Sequence, residues 1–146
     1  MNFDISYSDS ENPTNFSRED IADFLYKHLD EFGDEKQHIL NCIGYAYGDN
    51  EGQDGLILIA HEKGHIAGAV IINNTNMQGY IPENILVYIA VHRENRGEGL
   101  GSQLMERIIE AVDGDIALHV EEHNPAVHLY KKYGFTNKYL EMRLKK

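Results

Sequence analysis

The sequence predicts a mixed α/β or α+β fold, and three observations carry that reading. Apolar runs of strand length recur between segments with helical spacing, a short glycine turn joins two such runs, and an all-apolar strand passes through a glycine-rich loop into an amphipathic helix. The predicted order is β-α-α-β-β-β-α-β-α-β. Residues 1–146 read as one domain, because no Pro/Ser-rich linker, repeat or low-complexity tract interrupts them. A chain of 146 residues is long enough to bury a core without metals or disulfides.

The elements follow in order. Asp4 to Tyr7 forms a short first strand. Ser17-Arg18-Glu19-Asp20 has the serine-x-x-acid pattern in which a hydroxyl and a carboxylate cap a helix start, ahead of Ile21, Phe24, Leu25 and Leu29. That helix is predicted to end near Gly33. A second covers Glu35 to Tyr47, with Ile39, Leu40, Ile43 and Tyr47 on one side, and Gly48 to Gly55 reads as a loop. Leu56 to His61 and His65 to Asn73 flank Glu62-Lys63-Gly64, a turn suited to a hairpin. Asn73 to Asn76 is loop, and Pro82-Glu83-Asn84 leads into the strand Ile85 to Val91. Beyond the glycine loop, Leu100, Leu104, Ile108 and Ala111 keep helical spacing, widened by Met105 and Ile109. Ile116 to Glu121 is another apolar strand. Asn124 and Pro125 open a last helix, because asparagine caps first-turn donors and proline suits the first helical position. It stops at Gly134, and Phe135 to Leu144 is predicted to make a closing strand.

The most informative stretch runs from Val91 to Ser102. Glycines at 97, 99 and 101 leave no Cβ over the backbone and allow positive φ, so successive N–H groups can converge on one point. The helix that follows adds its unpaired first-turn donors and the positive end of its dipole. Such a junction is an anion site that fits a pyrophosphate. A phosphate-binding P-loop needs Gly-Lys-Ser/Thr, which follows none of these glycines, so ATP hydrolysis is disfavoured. A dinucleotide loop carries Gly-x-Gly-x-x-Gly near the first strand of a βαβ repeat, whereas this is Gly-x-Gly-x-Gly late in the chain. A turn needed only for close strand-to-helix packing is the structural alternative.

Composition narrows the partners. The net charge of −11, from 24 acidic and 13 basic residues, argues against broad contact with nucleic acid or anionic membrane. A cationic substrate such as an amine or a basic protein segment gains from such a field, but acidity is first of all a common solubility device. Cys42 is the single cysteine, so no intrachain disulfide forms, and it reads as a small buried hydrophobe. Met1 to Ser6 has no basic start ahead of an apolar run, and no segment approaches about 20 consecutive apolar residues. The expectation is a soluble, cytoplasmic protein.

Arg96-Gly97-Glu98-Gly99-Leu100-Gly101 matches Gln/Arg-x-x-Gly-x-Gly/Ala, and Asn124-Pro125-Ala126-x-x-Leu129-Tyr130-x-x-x-Gly134-Phe135 matches a second signature downstream. In element order and in both motifs the chain resembles the Gcn5-related N-acetyltransferase (GNAT) superfamily, strongly from about Ile85 to Phe135 and weakly before Leu56. The resemblance implies a mainly antiparallel mixed sheet flanked by helices, with acetyl-CoA as co-substrate and an amine, small or on a protein, as acceptor. It leaves a homodimer open, though no apolar stripe in the sequence demands one. A non-catalytic acyl-CoA-binding regulatory module that kept the fold is the rival reading.

The same resemblance assigns roles. The pyrophosphate falls to the backbone of Arg96, Gly97, Glu98, Gly99, Leu100, Gly101 and Ser102, with Arg96 and Arg93 adding charge. Ile89, Ala90 and Val91 correspond to the segment where the central strand splays from its neighbour, freeing backbone groups for the pantetheine arm and an oxyanion. Tyr130 stands at the position of the acid that serves the leaving thiolate, and Asn124 at that of a cofactor contact. No base announces itself. Glu83 shares strand parity with Ile85, Val87, Ile89 and Val91, which makes it a catalytic candidate, although the family's glutamate aligns nearer Ile85. His119, Glu121, Glu122 and His123 are further candidates, and Glu31, Asp34 and Tyr80 could line the acceptor side. A metal site at His119, Glu121, Glu122 and His123 is disfavoured, since strand alternation sends neighbours to opposite faces.

Overall fold

The computed structural model describes residues 1–9 and 13–146. Five strands form one sheet in sequence order, β1 (Asn2–Ser6), β2 (Gly55–Glu62), β3 (His65–Asn74), β4 (Asn84–Val91) and β5 (Ile116–Ala117). The first four are antiparallel, and β5 lies parallel to β4. Helices α1 (Arg18–His28) and α2 (Lys36–Ala46) cover one face, while α3 (Leu100–Ala111) and α4 (Ala126–Lys132) cover the other. This is the predicted fold class.

Local chemistry explains the boundaries. Ser17 closes a capping box, its hydroxyl accepting from Asp20 N–H at 3.1 Å while Asp20 accepts from Ser17 N–H at 3.0 Å. The helix ends at His28, earlier than predicted, and a 3₁₀ turn at Asp30–Phe32 carries the chain on to Gly33. Lys63 and Gly64 hold positive φ of 52° and 78°, the pair of left-handed residues that a two-residue hairpin turn needs between β2 and β3.

Two cores result. Ile21, Leu25, Ile39 and Ile43 meet Ile57, Ile59 and Ile71 on the first face, and Leu100, Leu104, Met105 and Ile108 meet Leu58, Val70 and Ile72 on the second. Ile109 falls outside the buried stripe of α3 and faces solvent. Gly68 lets α3 approach the sheet, because a Cβ there would stand 2.8 Å from Leu104 Cδ1. Cys42 is buried on α2, and burial pushes its thiol up to about 12, so it stays protonated.

Two departures from the sequence reading shape the site. The register between β3 and β4 slips between Ile71 and Ile72, which pair with Tyr88 and Leu86, so Val87 is an extra residue, a β-bulge. Side chains change faces there: Leu86 and Ile89 both belong to the α3 core, while Val87 and Tyr88 both belong to the α1/α2 core. In addition, β5 pairs with β4 through Ile116 and Ala117 only, and the predicted closing strand from Phe135 to Leu144 does not form. Alternation in sequence marks a strand-like segment but does not by itself dock it on a sheet edge. Tyr139, Leu140, Met142 and Leu144 are instead 82–91% exposed.

Candidate active site

The glycine loop is built as an open cradle. Gly97 and Gly99 both have φ of 81°, and a Cβ at either would meet nothing within 4 Å. Gly99, left-handed, stands immediately before α3, whose start has no side-chain cap. Among the described residues, none of the N–H groups from Gly97 to Ser102 closes a well-formed hydrogen bond, and the first that does is Gln103 N–H to Gly99 O at 3.2 Å. Six consecutive donors without a well-formed partner among the described residues thus run up to the positive end of a helix dipole. Glu98 is exposed on this turn.

Arg96 does not reach into the cradle. Its guanidinium donates to Val91 O (3.2 Å), Asp30 (3.1 Å) and His28 O (2.7 Å), while Arg93 donates to Asp30 and Lys27 O. Asp30, held below the usual carboxylate range by Arg93 and then Arg96, ties the end of α1 to the end of β4. The expected help of both arginines to an anion becomes a brace on the loop's entrance. A cation the sequence reading left unassigned stands nearer: Lys132 on α4 donates to Ser102 Oγ at 3.1 Å, on the first turn of α3. Its signal was its place one turn past Leu129 on a helix that packs against α3.

The strand beside the loop has a free edge. Since β5 leaves β4 after Ile85, the rest of β4 has no strand partner on that side among the described residues. His92 N–H reaches Ala67 O on the β3 side, so by antiparallel alternation Ala90 also faces β3, and the N–H groups of Ile89 and Val91 face the gap. Of the predicted segment, these two carry the available donors, and Val91 O is taken by Arg96.

Tyr130 packs into the α3 core against Phe135, ring centroids 5.7 Å apart, and its hydroxyl makes no hydrogen bond among the described residues. Burial pushes it up to about 12, so it stays a protonated donor. Asn124 Oδ1 accepts from Ala126 N–H at 2.9 Å, the capping role its sequence position allows.

The shared-face expectation for Glu83 fails. The bulge at Val87 puts the two halves of β4 out of phase, and Glu83 precedes β4, its Oε1 accepting from Asp115 N–H at 3.4 Å. Six residues of strand, about 20 Å, separate it from Ile89. Its role there is to brace the α3–β5 connection. Asp34 is brought to mid-strand instead: Tyr88 on β4 donates to Asp34 Oδ2 at 2.5 Å, and burial, then Asp34, keeps the phenol protonated. Phe32, on the same α1–α2 connection as Glu31 and Asp34, meets the ring of His123 at 5.2 Å, so this connection spans from β4 to the β5–α4 loop. Tyr80 lies in the β3–β4 loop, 80% exposed. Glu121 sits 3.5 Å from His123 Nε2, both well exposed, and among the described residues no three His, Cys, Asp or Glu side chains converge as a metal site. No helix among them is long and apolar enough to cross a membrane.

Residues 53–137, more than half of the 146-residue chain, match the acetyltransferase (GNAT) domain, and the chain belongs to that family. Solved structures share the fold over all or nearly all of their length. The aminoglycoside antibiotic 6′-N-acetyltransferase from Acinetobacter haemolyticus is 15% identical with a TM-score of 0.66, covering 100% of this chain and 98% of its own. Ribosomal-protein-alanine N-acetyltransferase from Brucella melitensis biovar Abortus 2308 is 16% identical with a TM-score of 0.61, covering 100% of both. An integron cassette protein from the mobile metagenome of V. cholerae is 19% identical with a TM-score of 0.66, covering 100% and 94%. No curated protein sequence matches.

Proposed function

We propose that the chain transfers the acetyl group of acetyl-CoA to a primary amine by direct attack within a ternary complex. The single observation that carries this reading is the row of open amides from Gly97 to Ser102 beside the unpaired edge of β4. Those amides, with Lys132, would hold the pyrophosphate, and the gap along Ile89 to Val91 would take the pantetheine arm, with Asn124 beside it. As the amine nitrogen bonds to the thioester carbon, charge grows on the carbonyl oxygen, and a fixed N–H of Ile89 or Val91 stabilises it more than it stabilises the ground state. The carbon–sulfur bond then breaks with its electron pair on sulfur. Tyr130, protonated at neutral pH, donates a hydrogen bond to that thiolate.

The nitrogen must lose a proton to attack and another as the amide forms. Asp34, one carboxylate oxygen bound by Tyr88 and the other without a hydrogen bond among the described residues, is the proposed receiver. Exposed Glu31, Glu121 and Glu122 and a net charge of −11 suit a cationic acceptor. Two proteins of the same fold are named as N-acetyltransferases of an aminoglycoside and of a ribosomal-protein alanine, which supports an amine of either size.

The test is mass spectrometry of an amine panel incubated with acetyl-CoA, read beside release of CoA thiol. One added acetyl group on an amine is the expected product. A persistent acetyl-enzyme would contradict direct transfer, and CoA binding without thiol release across the panel would mark a binding module.

A further inference from the structure

We propose that His28 is a positioning residue for the glycine loop: as a neutral ring it holds the loop's entrance in its binding geometry, so that affinity for CoA is coupled to pH. The inference rests on the reading above that the diphosphate sits in this loop. His28 is the last residue of α1 and only 4% exposed, and its ring packs on Phe24, centroids 4.7 Å apart, and on His92, 4.1 Å apart. His92 follows the end of β4, and the 3₁₀ turn Arg93–Asn95 leads from it to Arg96 and the glycines. The end of α1 thus touches the first residue on the way into the loop.

Hydrogen bonds select the neutral form of this pair. His28 Nδ1 accepts from Arg93 N–H at 3.4 Å, and His92 Nδ1 accepts from Glu94 N–H at 3.1 Å. An imidazole with its single proton on Nε2 can accept there, whereas a charged one donates from both nitrogens. Charge selects the same form. Lys27 on α1, with His92, Arg93 and Arg96 beyond β4, all act on His28 as present or potential cations, while Asp30 is the carboxylate that the two arginines share. On its other side His92 borders an open groove of about 670 Å³ with Asp20, Asp23, Glu62, Lys63 and His65 among its walls, so water reaches the pair from there.

A proton on His28 would disturb what the loop hangs from. Arg96 donates to His28 O at 2.7 Å and to Val91 O at 3.2 Å, so the residue that opens the glycine loop is pinned to α1 on one side and to the end of β4 on the other. A cation at His28 turns the acceptor facing Arg93 N–H into a donor and repels both guanidiniums, which loosens that pin and the amides that follow it. Burial, then the neighbouring cations, lower the ring to about 4, so the proton enters as the entrance opens. The sign of the effect separates positioning from attraction. A cation acting directly on a bound diphosphate would strengthen binding as pH falls, whereas a lost brace weakens it.

Titration calorimetry of CoA with the wild type and His28→Asn at pH 7.5 and 5.5 tests this. Asparagine keeps an acceptor where Nδ1 stood and does not titrate, and the ratio of the two affinities cancels the titration of the ligand's own phosphates and of His92. From pH 7.5 to 5.5 that ratio should move against the wild type by about three- to tenfold, the upper limit being set by a ring that titrates near 6.5 when released and near 4 when held. His28→Gln, equally without a titrating ring, provides the same ratio should the asparagine variant fail to fold. In ¹H–¹⁵N spectra of the free chain, the amides of Gly97 to Ser102 should move with the titration of His28 in the wild type and lose that movement in the variant. An unchanged ratio, a ratio that moves in favour of the wild type, or loop amides that ignore the His28 titration would overturn the proposal while leaving CoA in the loop. A wild type that does not bind CoA at pH 7.5 would instead overturn the proposed function, and the coupling of affinity to pH with it.

Discussion

Replacing Gly99 with alanine separates the cradle's chemistry from its fold, because the hairpin glycine Gly64 provides a matched control. Both hold positive φ, 81° and 78°, and at both an added Cβ meets nothing within 4 Å. Sterics therefore contribute nothing, and the whole cost is the left-handed backbone, about 1–2 kcal/mol for an L-residue. In a domain of this size that lowers Tm by roughly 3–6 °C in either variant. The variants part in ligand binding. Relief of strain at residue 99 by rotation to negative φ turns neighbouring amides out of the cradle, and a hydrogen bond to a charged acceptor is worth about 1.5–3 kcal/mol, so one lost bond weakens binding at least tenfold. Titration calorimetry with CoA should show that loss for Gly99→Ala and unchanged affinity for Gly64→Ala. Equal affinity in both variants, or equal loss in both, would refute the assignment of the anion to this loop.

Tyr130→Phe should lower kcat by about a hundredfold with little change in KM for acetyl-CoA, and should leave Tm unchanged, since the hydroxyl has no partner among the described residues. An unaltered kcat would remove it as the group that serves the thiolate. Asp34→Asn keeps an acceptor for the Tyr88 hydroxyl but cannot take a proton, so the rate at saturating acetyl-CoA should fall about a hundredfold; full activity would end its role. Stability should also decline on mild acidification through His28, which is 4% exposed and lowered to about 4 by burial, then by His92, Lys27, Arg93 and Arg96. The folded value lies below the unfolded one, so the unfolded chain takes up the proton first, and stability is lost as pH falls from about 6.5 to about 4. Urea unfolding should show roughly 2–3 kcal/mol less stability at pH 4.5 than at pH 7 from this group, a difference largely absent in His28→Gln.

Much of this arrangement is legible in the residues. The capping box at Ser17, the Lys63-Gly64 turn and the loop glycines each fix backbone geometry through their own short-range chemistry, so the sequence announces them. The bulge at Val87 leaves no such trace. Ile85 to Val91 is apolar on both faces, and a run without alternation cannot reveal where alternation slips. For that reason Glu83 looked aligned with Ile89 and Asp34 drew little notice. The brace made by Asp30 joins residues 63 and 66 positions apart, a separation that only the folded chain closes. Leu140 to Leu144 shows the opposite limit: the strand pattern is plain, but whether it pairs depends on an edge elsewhere.

Since Arg93 and Arg96 already face Asp30, the loop offers oriented dipoles and, apart from Lys132, few uncompensated monopoles. Mobile ions shield monopoles far more than they shield bonds at contact distance. A diphosphate held this way should cling almost as firmly in brine as in dilute buffer, so that the grip depends on the rigidity of a turn more than on the ionic milieu.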